Sequence, residues 1–130
     1  MTYRLAFDAK NRILLVSVTG ELTREDYLAG YEAIDRFIAA AGPCSAIIDF
    51  SAVERFALSP DFARDIGKMR PAVPVGMKRV VVAPQPAVYG TARLVATLRE
   101  GTGGELTLTQ SLPEALARLG IDLPDFAPVS

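Results

Sequence analysis

The chain contains no histidine. That absence removes the commonest general base, the Ser-His and Cys-His nucleophile pairs and most transition-metal sites. Cysteine is nearly absent too: Cys44 stands alone, which excludes an internal disulfide and a cysteine-based zinc cluster and suits a reducing compartment. It opens an apolar strand and reads as a small buried or half-buried residue rather than a reactive thiol. Neither sign of charge is in excess. The net charge is -1 with acids and bases interspersed, so no broad electrostatic footprint for nucleic acid or an anionic membrane is present. No apolar run approaches a membrane span, and the opening MTYRLAFDAK lacks the apolar core of a signal peptide. The expectation is a soluble cytoplasmic protein. Glycine patterns for dinucleotides or phosphates are missing as well, since Gly101-Thr102-Gly103-Gly104 lacks the lysine and helix that a phosphate loop requires. No cofactor and no enzymatic activity are expected.

What is present suffices for one domain. The chain has 130 residues, of which 50% are hydrophobic, enough for a single well-buried core. Tyr3, Leu5 and Phe7 alternate with polar or small residues, the period of a half-buried strand. A turn at 8–11 leads to a second strand over 13–19, with Leu14, Val16 and Val18 on one face and Ile13 and Leu15 on the other. Thr23 then caps a helix with Glu25 and Asp26 in its first turn, and Gly42-Pro43 ends it. A third strand over 45–50 precedes a loop and a second helix from Pro60 to about Met69. The segment 70–77, with Pro71, Pro74 and Gly76, reads as a loop.

Residues 79–83 form a fourth strand whose unbroken valines predict cover on both sides. A third helix over about 87–99 carries Val88, Ala92, Val95 and either Leu98 or Arg99 on its inward stripe. A fifth strand over 105–109 turns Leu106 and Leu108 inward, and Ser111 with Glu114 has capping-box spacing for a last helix ending at Gly120. Residues 1–121 thus read as one domain and 122–130 as a loosely held, proline-rich tail.

This order predicts an α/β fold: an N-terminal hairpin, then β-α units in a right-handed superhelix with a five-stranded, mostly parallel sheet. If sequence neighbours are sheet neighbours, a constant crossover hand puts the helices on one face. The opposite face would leave Ile13 and Leu15 uncovered with residues of the next two strands, a patch suited to a homodimer or another protein partner.

The element order, Val18-Thr19-Gly20-Glu21-Leu22-Thr23 and Ile47-Ile48-Asp49-Phe50-Ser51-Ala52-Val53 together resemble the STAS/SpoIIAA-like superfamily. The segment 22–27 and the ending at 111–119 look more like its branch of small stand-alone bacterial proteins, related in fold to CRAL-TRIO-type lipid-binding domains. The resemblance covers about residues 3–121 and implies the fold just described. Antagonists in the superfamily carry a phosphorylated serine within Asp-Ser-Ser/Thr-Gly at the start of helix two. That tetrad falls here on Ala57-Leu58-Ser59-Pro60, with Leu58 at the acceptor position and only Ser59 matching. The resemblance therefore implies a non-enzymatic regulatory or protein-interaction domain without an intact phosphoserine switch.

Ser59 is the one candidate phosphosite, and it reads most simply as a helix N-cap ahead of Pro60. Asp49 and Ser51, at the end of strand three, read as turn-capping residues with ligand contact as the alternative. The loop after strand four presents Gln85, Tyr89 and Arg93, which suit an anion or a polar head group. Phe56, Leu58 and Phe62 would supply an apolar wall beside them. These residues carry the alternative function, a carrier or sensor of a small apolar or lipid-like ligand. An apolar cavity behind Tyr89 and Phe62 would favour the carrier, and a filled core with an apolar dimer face the interaction domain.

Overall fold

A computed structural model describes residues 3–74 and 76–129. The domain and tail assignments at positions 1, 2 and 130, and Val75 of the 70–77 loop, lie outside the described residues. Strands β1 (Tyr3–Asp8) and β2 (Ile13–Leu22) form the antiparallel hairpin, Phe7 pairing with Leu14 and Tyr3 with Val18. Helix α1 (Arg24–Ala41) follows, then β3 (Ser45–Phe56), α2 (Pro60–Lys68), β4 (Arg79–Val82), α3 (Pro86–Leu98), β5 (Thr107–Thr109) and α4 (Leu112–Arg118). A two-residue strand, β6 (Ala127–Pro128), completes the described elements. The sheet order is β5-β4-β3-β2-β1-β6, with β2 to β5 mutually parallel.

The predicted helix signals act as caps. Thr23 Oγ1 accepts from Asp26 N at 3.1 Å while the Asp26 carboxylate reaches back to Thr23 N, a complete capping box. Gly42 closes α1 with φ 91°, a conformation a side chain would strain. At α4, Ser111 Oγ accepts from Glu114 N at 3.2 Å. The Glu114 carboxylate, however, accepts from Gln110 N rather than from the cap residue.

Because sequence neighbours are sheet neighbours, crossovers of one hand carry α1, α2 and α3 to the same face. There Leu14, Val16, Val18, Ala46 and Val81 meet Ile34 of α1 and Val88 and Ala92 of α3. Phe62, Ala63 and Ile66 of α2 form an adjoining cluster with Val95.

Three expectations change. The opposite sheet face is not uncovered. Ile13, Ile47, Val80 and Val82 are buried there against Ala115 of α4, with Leu112, Leu116, Leu119 and Phe126 around them. The strand that follows α4, β6, is antiparallel to β1 and so parallel to β5, and it lies at the opposite edge of the sheet. A right-handed connection running back across the sheet carries α4 to the other face, over its apolar part. Arg4, Ser17 and Thr19 lie beside it, and the apolar residues expected to support a homodimer are covered by α4. The valines of β4 are accordingly buried from both sides.

The sheet, secondly, has six strands rather than five, because the tail docks. Ala127 pairs with Phe7 and Pro128 with Ala6, and Asp125 N donates to the buried Asp8 carboxylate at 3.1 Å. Thirdly, β3 runs on to Phe56 beside an extended β2, with register shifts at Ser17/Thr19 and Gly20/Glu21. These bulges break the two-residue period, which is why 51–56 reads as a loop in sequence. Glu54 and Arg55, which fall in the loop expected between strand three and helix two, are exposed strand residues.

Candidate functional site

The helix-covered sheet face is not filled. A cavity of about 150 Å³ lies between Val16, Val18, Ile48, Phe50 and Val81 of the sheet and Ile34, Val88, Ala92 and Val95 of the helices. Phe56 and Leu58 wall it near the strand ends. Arg79, Arg99 and Leu106 wall it near the strand starts.

Several predicted site residues sit elsewhere. Asp49 Oδ1 accepts from Ser51 N at 2.9 Å and from Ser51 Oγ at 2.6 Å, so the pair forms a local turn. Ser59 Oγ accepts from Phe62 N at 3.1 Å, the N-cap bond of α2. Phe62 packs edge-on against Tyr27 with ring centroids 5.7 Å apart, and the Arg24 guanidinium lies 5.1 Å from its ring centre. Tyr89 is half-buried against the core and Arg93 is exposed. Gln85 turns inward: its Nε2 donates to the carbonyls of Phe50, Ser51 and Val53 at 3.0, 3.1 and 3.1 Å. It thereby ties the start of α3 to the bulged part of β3. Of the eight predicted binding residues, Phe56 and Leu58 line the cavity; the others surround or support the strand ends.

Two wall residues had not been singled out for binding. Arg79 and Arg99 are only 5% and 7% exposed. Arg79 shares the helix-covered face with Val81, two residues on. Arg99 follows Val88, Ala92 and Val95 on the inward stripe of α3, while Leu98 is 41% exposed. A Cβ on Gly67 would come within 2.9 Å of Leu98 Cβ, so the glycine lets α2 and α3 approach closely. The Arg99 guanidinium can then donate to Ile66 O, in the last turn of α2, at 3.0 Å. Arg79 donates to Val73 O and Gly103 O. Burial, and then the neighbouring Arg99 charge, hold the Arg79 pKa below its ordinary value, against a weaker opposite pull from Glu105. Burial pushes the Tyr27 hydroxyl on the same wall up to about 12, so it stays neutral.

Among the described residues no group of three histidine, cysteine or acidic side chains could hold a metal ion. None of the described helices is long and apolar enough to cross a membrane.

No protein-family model matches the chain. No curated protein sequence matches it either. Solved structures do. The anti-sigma factor antagonist SpoIIAA in its unphosphorylated form is 19% identical, with a TM-score of 0.58 over 91% of this chain and 97% of that one. An uncharacterised protein of the DUF3478 family from Shewanella loihica, with a SpoIIAA-like fold, is 16% identical. It aligns over 90% of this chain and 91% of its own, also with a TM-score of 0.58. The strand order, the hairpin start and these two alignments together give the chain a SpoIIAA-like, STAS-type fold.

Proposed function

We propose that this protein is a non-enzymatic STAS-like regulatory domain that binds a small apolar molecule between its sheet and helices α1 and α3. The observation that carries the reading is the cavity of about 150 Å³ with its valine, isoleucine and phenylalanine walls. A largely apolar space of that order accepts a molecule about the size of benzene. On the back face α4 covers the residues expected to drive dimerisation. The proposed reading involves no phosphoserine switch. Leu58, at the acceptor position, faces the cavity, and Ser59 Oγ is engaged as a cap.

The likeness to an anti-sigma factor antagonist supports a protein partner, and on this proposal the partner distinguishes the filled from the empty cavity. The exposed residues Ser51, Glu54, Arg55 and Ser59, beside the cavity's strand-end wall, are the surface for such a partner. The test is native mass spectrometry of protein purified from its own host, followed by titration of the emptied protein with benzene. A co-purifying small mass, or saturable benzene binding that shifts the Val81 and Val88 methyl resonances, is the expected result. A bare chain that also fails to take up benzene would overturn the reading.

A further inference from the structure

We propose that the cavity selects a small carboxylate, whose apolar body lies against the sheet and helices while its anionic group meets the guanidiniums of Arg79 and Arg99. The proposal rests on the reading of the cavity as a binding site. Both arginines line the same cavity and both are more than nine-tenths buried. Each keeps a buried Nε with no hydrogen-bond partner. A buried N–H donor left unpaired is costly, and one on a cationic group more so. The two guanidinium-bearing side chains line one apolar space, so a single carboxylate bound there can pair with both.

Neither guanidinium forms an ion pair with a described residue, and the Glu105 charge acts on Arg79 less than burial and Arg99 do. Among the described residues the ion pairs are Arg64–Asp61 and Arg70–Asp35, both at the surface. Glu105 near Arg79 is exposed, and its carboxylate accepts from Gly103 N at 3.2 Å. Asp26 also lines the cavity, but it belongs to the capping box at Thr23, beyond the opposite end of β2. The carbonyls of Gly103 and Val73 take up both terminal nitrogens of Arg79, and that of Ile66 takes up Arg99 Nη2. They orient both side chains without neutralising them. A monoanion fits better than a phosphate, because the remaining walls are mostly hydrocarbon and would leave extra charged oxygens without donors.

The experiment titrates the full-length protein, emptied of co-purifying material, with phenylacetate and with its neutral analogue 2-phenylethanol. The arginine Nε–H resonances are followed by NMR and the affinities by calorimetry. Phenylacetate should bind at least about tenfold more tightly, as expected for charge-assisted over neutral hydrogen bonding. It should also shift the Nε–H signals of Arg79 and Arg99. In Arg79→Met and Arg99→Met the preference should collapse while 2-phenylethanol binding survives. Equal affinities, or unmoved arginine signals, would overturn the carboxylate assignment and leave the apolar site intact. Failure of both molecules to bind while benzene still binds would overturn the carboxylate assignment, and failure of benzene as well would overturn the cavity reading and this proposal with it. The wild-type comparison decides the matter even if neither variant folds.

Discussion

Val81→Ile should stabilise the empty protein, whereas Val80→Ile, one residue earlier on the same strand, should destabilise it. Val81 lines the cavity; Val80 is buried on the opposite face among Ile13, Ile47 and Ala115. At roughly 24 cal/mol per Å³, a void of about 150 Å³ leaves about 3–4 kcal/mol unrealised relative to a filled core. The added methylene of isoleucine should recover about 0.8 kcal/mol by burial, and slightly more as it reduces the void. For a chain of this length about 1 kcal/mol corresponds to roughly 4 °C in Tm. On the packed face the same methylene has no room, and overpacking costs about 1–3 kcal/mol. Both variants keep the β-branched side chain that suits a strand, so propensity does not confound the comparison. The assay is urea and thermal unfolding of protein stripped of any co-purified ligand, since a ligand held only by the folded state raises Tm by mass action. A fall in Tm for Val81→Ile comparable to that of Val80→Ile would show that the space is not there. It would refute the cavity argument at its base.

Ser59→Ala removes the N-cap bond to Phe62 N and should cost about 1 kcal/mol in urea unfolding, while Ser59→Asp keeps a capping oxygen and should stay near wild type. Gln85→Ala leaves the carbonyls of Phe50, Ser51 and Val53 without their shared donor. It should cost about 1–3 kcal/mol, with faster amide exchange confined to 50–56 and the start of α3. Asp8 is held below its ordinary value of 3.8, chiefly by the Asn11 side chain, with the Asn11 and Asp125 amides adding to the effect. Its stabilising contribution should therefore be complete above that value and disappear as the pH falls through the lower folded-state pKa. Asp8→Asn should flatten the acid limb of a pH series of urea midpoints and speed amide exchange at Asp125. An unchanged acid limb would count against the assignment.

Much of the fold was legible in the sequence, since short-range physics decides it. Thr23, Gly42, Ser59 and Ser111 mark helix ends because orphan backbone groups there need a partner within a few residues. The alternation of Leu14, Val16 and Val18 with Ile13 and Leu15 set the two faces of β2, and the unbroken valines of β4 required cover on both. The element order, with short connections and one crossover hand, then determined a parallel sheet with three helices on one side.

Tertiary structure alone decided the rest. The last helix covers the opposite face because the chain crosses back from β5 to β6 at the other edge of the sheet, and that pairing depends on a docked tail that no local pattern announces. The bulged end of β3 was hidden because a bulge breaks the period on which sequence reading depends. The cavity, too, arises from the spacing of whole elements around α1 and α3, which no local pattern encodes. Arg99 was visible on the inward stripe as an alternative to Leu98. The close approach of α2 and α3 at Gly67 accompanies its burial, and Arg79 reaches the same wall from a different strand. Two guanidiniums 20 positions apart meet at one apolar space because a strand start and a helix end converge there, a long-range coincidence that the sequence carries but does not display.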